Sequence, residues 1–215
     1  SAGRWRCLPA GRALPLFSVL MEVAMKTDVT RLLGELSAAS ERPRASAELF
    51  TVVYGELRRM AAAQLRHQRP GQTLTPTVLV HEAYLRLVGD ADPGWNGRGH
   101  FFGAAAQAMR QIIVDQLRRK MAGKRGGGRI HHELDEETVV ATDNLDPAEA
   151  LAIDQALASL SAEHPRRAKV VVMRYFGGLP EEEIAQALGV NLRTIERDWR
   201  FARAYLYSLL SQTQA

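Results

Sequence analysis

The feature that most limits what this chain can fold into is one long break in an otherwise continuous helical pattern. From Gly123 to Asp146 the chain carries Gly126-Gly127-Gly128, then an acidic, threonine-containing run that ends at Asp146-Pro147. Ordering a glycine triplet costs backbone entropy, and the acidic run has little apolar surface to bury in return. On both sides of the break apolar residues recur at helical spacing, and no stretch alternates as a half-buried strand would. The spacing predicts helices near 27–39, 44–68, 76–89, 99–121, 147–160, 164–176, 181–188 and 192–211. The expected fold is all-α, with two small helical domains over 25–122 and 147–212 joined by a flexible linker over 123–146.

A chain of 215 residues with 46% hydrophobic residues has material for a core in each half. The net charge of +4 is a mild excess, and its distribution says more than its sum. Seven basic residues stand between Arg110 and Arg129 against one acid, Asp115, whereas Glu133 to Glu149 holds acids and neither Lys nor Arg. The single cysteine, Cys7, excludes an internal disulfide, and a reducing cytoplasm fits it best. His131 and His132 lack neighbours at ligand spacing, so neither metal nor cofactor is expected. No apolar run reaches the roughly 18 residues a membrane helix needs. Residues 1–24 read as a leader or non-native extension, expected to be disordered. Arg4, Arg6 and Arg12 before Ala13–Leu20 loosely imitate a secretory signal, but Pro15 and Ser18 interrupt the apolar run and no clean cleavage site follows.

The stretch from Leu179 to Arg200 has the grammar of a helix-turn-helix. Gly177-Gly178 can end the preceding helix in a left-handed conformation, Pro180 suits a helix start, and Glu181 to Glu183 complement the dipole of the first turn. Gly189 supplies a sharp turn and Asn191 a cap for the next helix. In that helix Leu192, Ile195, Trp199, Ala202 and Leu206 fall on one inward face, and Arg193, Glu196, Arg197 and Arg200 on the other. Arginine pairs two-fold with guanine and glutamate accepts from cytosine, so such a face suits a major groove. The competing reading is an ordinary solvated face.

In the N-terminal half, Thr75-Pro76 begins a helix well. Val80, Ala83, Tyr84, Leu87 and Val88 make its buried stripe. The opposite face, Val78, His81, Glu82 and Leu85, is half apolar, and reads either as a second buried side or as a docking surface for another protein. In the following helix Phe102, Ala105, Met109, Ile112 and Gln116 trace a core side. Gln107, Arg110, Gln111, Val114 and Arg118 trace a polar side that continues into Arg119 and Lys120. Aromatic residues beside a basic stripe suit stacking on an unpaired base together with phosphate contacts. Phe101 and Phe102 are expected in the core and Trp95 nearer the surface.

Four segments together resemble extracytoplasmic-function (ECF) sigma factors, in the branch often associated with Ser/Thr protein kinases. They are Thr-Leu-Thr-Pro-Thr-Val-Leu-Val-His-Glu-Ala-Tyr-Leu-Arg-Leu (73–87), His-Phe-Phe-Gly-Ala-Ala-Ala-Gln-Ala-Met-Arg-Gln-Ile-Ile-Val-Asp (100–115), Lys-Arg-Gly-Gly-Gly (124–128) and Glu-Arg-Asp-Trp-Arg-Phe-Ala-Arg-Ala (196–204). The resemblance implies an alternative sigma factor that directs bacterial RNA polymerase to promoters and aids their opening. Its N-terminal domain would hold the polymerase clamp through Val78, His81, Glu82 and Leu85. The same domain would meet the −10 element through Trp95, Gln107, Arg110, Gln111, Arg118, Arg119 and Lys120. Its C-terminal domain would read the −35 element through Arg193, Thr194, Glu196, Arg197, Arg200 and Arg203, and the linker would thread near the RNA exit path. No catalytic residue is implied.

One departure from the family pattern carries information. The clamp-binding helix of most ECF sigma factors opens with an acidic cluster, whereas here the matching positions are Thr75, Pro76, Thr77 and Val78. Phosphorylating Thr73, Thr75 or Thr77 would add about −1.5 to −2 charge at a helix N-terminus, where it is favourable. The expected partners are the polymerase core and promoter DNA, with a Ser/Thr protein kinase or an anti-sigma factor as further candidates, and the free chain is expected to be a monomer without a membrane contact. The rival readings are a helix-turn-helix regulator acting without polymerase, which leaves the N-terminal half without a role, and an enzyme, for which no phosphate loop, metal cluster or nucleophile motif is present.

Overall fold

The computed structural model describes residues 28–36, 42–66, 74–89, 94–125 and 147–213. Every regular element among these residues is helical. A short helix, α1, covers 28–35. It is followed by α2 (Arg42–Leu65), α3 (Pro76–Val88), α4 (Gly97–Arg125), α5 (Pro147–Glu163), α6 (Pro165–Val171), α7 (Glu181–Leu188) and α8 (Leu192–Thr213). A single π-helical turn, Val172–Phe176, prolongs α6. Residues 1–24, where a leader or extension was expected, most of the expected linker (126–146) and Thr73 lie outside the described residues.

Local signals set the helix ends. Thr75 is the N-cap of α3, its hydroxyl oxygen accepting the Val78 N–H at 3.3 Å, with Pro76 in the first turn. Gly178 takes φ +64° after the π turn. Gly189 ends α7 at φ 64°, ψ 34°, a conformation that costs a glycine little. Asn191 then caps α8: its Oδ1 accepts both the N–H and the hydroxyl of Thr194 at 2.9 Å. Pro180 stands one residue before α7, extended at ψ 152°. Gly123 does not end α4, which continues through Arg125; one glycine costs a long helix only about 1 kcal/mol.

Two groups of helices meet on α4. In the first, α2 and α3 pack on each other and on α4, burying Leu49, Val53, Leu57, Leu79, Val80 and Ala83. The Tyr84 hydroxyl ties α3 to α2 by donating to the Ser46 carbonyl at 2.6 Å. In the second group, α5, α6 and α8 pack together with α7 against α8, around Leu157, Leu160, Val170, Ile184, Ile195 and Ala202. The second group then lies on α4 through the π turn, α7 and α5. A single apolar cluster therefore runs from Val29 to Ala202 through both halves.

This placement corrects three details of the periodicity reading. Val114 is buried, not part of a polar side, because α4 has neighbours on more than one side. Phe101 and Phe102 are both fully buried, as expected for core residues. Leu192 is 38% exposed, since the first residue of α8 lies at the end of the packed face. The inward face of α8 instead includes a carboxylate: Asp198 is 0% exposed.

Candidate nucleic-acid interface

The outward face of α8 is built from both its cap and its core side. With Asn191 fixing the start, Ile195, Asp198 and Ala202 turn inward, with Trp199 half-buried beside them. The 3.6-residue period then sends Arg193, Glu196, Arg197, Arg200 and Arg203 to solvent, and all five are exposed. Arg193, Arg197 and Arg203 have no acidic partner among the described residues, and Arg200 reaches only the Glu196 carbonyl, at 3.4 Å. Thr194 is half-buried and its hydroxyl donates to Asn191, so this side chain serves the cap. The result is a cationic helix face with one carboxylate, presented from the first turn onward.

Asp198 holds that helix in place from behind. Its carboxylate accepts from Arg166 Nε at 2.7 Å and from Arg167 Nε at 3.3 Å, joining α8 to α6. Burial alone would raise its pKa, but the hydrogen bonds and charges of the two arginines outweigh that and hold the carboxyl below the usual range. Arg167 also lies 3.6 Å over the Phe201 ring, and Arg174 lies 4.6 Å over Trp199 while pairing with Glu181. Asp198 was legible in principle, since it falls three residues after Ile195 and four before Ala202. Its neighbours Arg197 and Arg200 disguised it as part of a charged surface.

The basic residues of α4 have a different environment. Arg110 pairs with Asp154 Oδ1, and Arg118 reaches Asp154 Oδ2 at 2.9 Å. Arg98 grips both oxygens of Glu56 at 2.5 Å and also pairs with Glu183. Gln107 lies beside Arg110 in a half-open cleft of about 660 Å³ between α4 and the C-terminal helices. Gln111, Arg119 and Lys120 are exposed, and Arg119 donates to the Asp115 carbonyl at 3.3 Å. Trp95 is half-buried, its ring meeting Phe101 edge-on at 5.3 Å and His100 at 5.6 Å. The structure thus places these residues on α4, with Trp95 just before its start, but not on one open surface. Glu56, Arg98, Asp154 and Glu183 were missed by periodicity. Asp154 left one trace, as the lone acid in the apolar middle of α5.

The face of α3 that admitted two readings is open. Val78, His81, Glu82 and Leu85 are all exposed, Leu85 at 70% and Val78 at 40%. An apolar pair seven residues apart, flanked by His81 and Glu82, forms one stripe on the helix surface. His81 is steadied by Nδ1 lying 2.8 Å from the Thr77 carbonyl and by its ring packing 5.2 Å from Phe50. Thr75 and Thr77 stand exposed at the head of the same helix.

Among the described residues no group of three His, Cys, Asp or Glu could hold a metal, and no helix is long and apolar enough to cross a membrane. No individual curated protein matches the sequence. The family model for ECF sigma factors matches residues 26–212, which spans α1 to α8 and both arginine-bearing helices. With that match, the helical architecture and the exposed arginine face in agreement, the chain belongs to the ECF sigma factor family.

Proposed function

We propose that this alternative sigma factor divides promoter recognition between its two arginine-bearing helices and docks on polymerase through α3. An ECF sigma factor directs RNA polymerase to promoter DNA. The observation that carries the division of labour is the α8 face: Arg193, Arg197, Arg200 and Arg203 exposed beside Glu196 on a helix anchored by Asp198. This is the side-chain set that reads guanine and cytosine edges in duplex DNA, and it is assigned to the −35 element. The C-terminal part of α4, with Gln111, Arg118, Arg119 and Lys120, together with Trp95, Gln107 and Arg110, is assigned to the −10 element and its opening. The stripe of Val78, His81, Glu82 and Leu85 is assigned to the polymerase clamp, where exposed apolar side chains have a reason to exist.

Docking would be strengthened by phosphorylation of Thr75 or Thr77. Both are exposed at the start of a helix whose first turn holds no acid. A phosphate there gains from the helix dipole and supplies charge for a basic partner. Run-off transcription with core polymerase, before and after kinase treatment, tests both parts. The expected result is initiation that falls in Arg197→Ala and rises on phosphorylation of wild type but not of Thr75→Ala/Thr77→Ala. Full activity without a kinase, unchanged in the threonine variants, overturns the switch. Failure to bind core polymerase in either state overturns the sigma assignment in favour of a regulator acting on DNA alone.

A further inference from the structure

We propose that the half-open cleft beside α4 is a binding site for a small amphipathic carboxylate, a free monoanion with an unbranched apolar chain, whose charged end is held by Arg110. The site stands on the residues of the cleft alone. Its effect on promoter binding rests on the −10 assignment above.

The cleft holds about 660 Å³, inside the range of small-molecule sites, roughly 300–1,000 Å³. One wall is the stripe His100, Gly103, Ala104, Gln107 and Arg110 on α4. These residues recur at three- and four-residue steps, so they lie along one side of the helix. The stripe runs for about 15 Å, the reach of a chain of roughly ten carbons. Facing it are Leu157 and Ala158 of α5, Ala168 of α6 and Met173 of the π turn. A Cβ on Gly103 would lie 3.0 Å from the Met173 side chain, so the two walls already touch at the floor and the opening lies above it. Leu188 of α7 adds apolar surface, and α7 packs on α4 at Gly99, at the end of the stripe away from Arg110. The cleft is therefore long and mostly apolar, with its strongest hydrogen-bond donor at one end.

That donor has capacity to spare. Arg110 spends Nη1 on Asp154 Oδ1. Its Nε is buried and has no acceptor among the described residues. The Nε and Nη2 edge of a guanidinium is one that a carboxylate grips two-fold, and on Arg110 that edge is unused. A buried N–H without an acceptor is costly, so an arriving carboxylate repairs a deficit as well as adding a contact. The charge around the cleft has the right sign. No Asp or Glu lines it, whereas Arg110 and Lys169 do. Asp154 is shared between Arg110 and Arg118, which leaves that trio with an excess of one positive charge. Lys169 is exposed and has no acidic partner among the described residues. An anion is thus favoured over a cation of the same shape, and an apolar chain over a bare ion.

Gln107 and Arg110 are also assigned to the −10 element. Ligand and promoter strand would compete for them, and the carboxylate would act as a repressing signal.

The test is isothermal titration calorimetry of the full-length chain with sodium decanoate, below its micelle concentration. Decanoate should bind saturably with one site, about tenfold or more tightly than decyltrimethylammonium, which has the same chain and the opposite charge, or acetate, which has the head without the chain. Arg110→Gln should lower the affinity by about tenfold. Ala158→Trp fills the cleft from an exposed position and should abolish binding with circular dichroism unchanged, which covers the case in which Arg110→Gln misfolds. Absent or non-saturable binding overturns the site. Equal binding of decyltrimethylammonium or of acetate overturns the amphipathic carboxylate as its ligand. Unchanged affinity in either folded variant overturns its location. With core polymerase, saturating decanoate should weaken binding of a −10 single-stranded probe by about fivefold or more. Unchanged probe affinity overturns the competition and leaves the site. A chain that never binds polymerase, with or without decanoate, overturns the sigma assignment, and the calorimetry still decides the site.

Discussion

Helices α4 and α8 both carry arginines at helical spacing, yet they leave those arginines in different electrostatic surroundings. On α8 the arginines stand in solvent beside Glu196, and the other acid of the helix, Asp198, is turned inward against α6. On α4 the arginines at 98, 110 and 118 are met by carboxylates from other helices. A basic stripe in a sequence is therefore only an inventory of charge. Whether the charge can be offered to DNA depends on where the acids come to rest. In one half a buried acid frees the outer face by anchoring the inner one; in the other half the acids pair with part of the face itself.

The largest effect that would break this contrast comes from Asp198. Asp198→Ala removes the inward anchor and leaves Arg166 and Arg167 facing an empty, buried site. Water reaches these half-exposed guanidinium groups, so the loss should fall at about 2–3 kcal/mol, below that of a fully buried pair. Chemical denaturation checks it. The same carboxylate sets an acid limit. Its folded pKa is depressed, so its contribution is complete above the ordinary carboxylate value of about 3.9 and is lost as pH falls through the lower folded value. Wild type should lose stability below about pH 4, and Asp198→Asn should show a shallower acid slope in the same titration.

Next in size is Arg197→Ala, which removes from the α8 face one guanidinium that has no acidic partner among the described residues. Duplex affinity at the preferred site should fall by about 1–3 kcal/mol, roughly 5- to 150-fold, with little change in thermal stability. A parallel loss on non-cognate DNA would assign Arg197 to phosphate contact rather than base readout.

A smaller effect tests the head of α3. Thr75→Ala deletes the cap that accepts the Val78 N–H and should cost about 1 kcal/mol in a melting experiment. Thr75→Asp keeps an acceptor at the cap and adds charge, so it should melt no lower than wild type and should raise polymerase affinity.

The smallest effect sharpens the contrast from the α4 side. Arg118 is 58% exposed, so Arg118→Ala should change the stability of the free chain by less than about 0.5 kcal/mol. A large loss would mean that its pair with Asp154 is structural.

Much of the fold was legible because helix ends are written locally. Thr75-Pro76, Gly189 and Asn191 act through hydrogen bonds or dihedral angles within four residues of themselves, and each element begins or ends where they place it. The α8 face was legible for the same reason, since one cap and a period set five side chains at once. Periodicity failed where a helix has more than one set of neighbours. Val114 looked polar-side because α4 was read against one core, and Asp198 looked like surface because its charge outweighed its position between Ile195 and Ala202.

By itself, then, the amino-acid sequence determined an all-helical chain, the positions of its caps and turns, and the arginines that could meet nucleic acid. Only the tertiary structure decided which of those arginines are available. Asp154 lies 36 residues from Arg118 and 44 from Arg110, and Glu183 lies 85 from Arg98. A side-chain pattern with a period of a few residues carries no information over such separations, because the partner is chosen by how helices pack and not by how any one of them is wound.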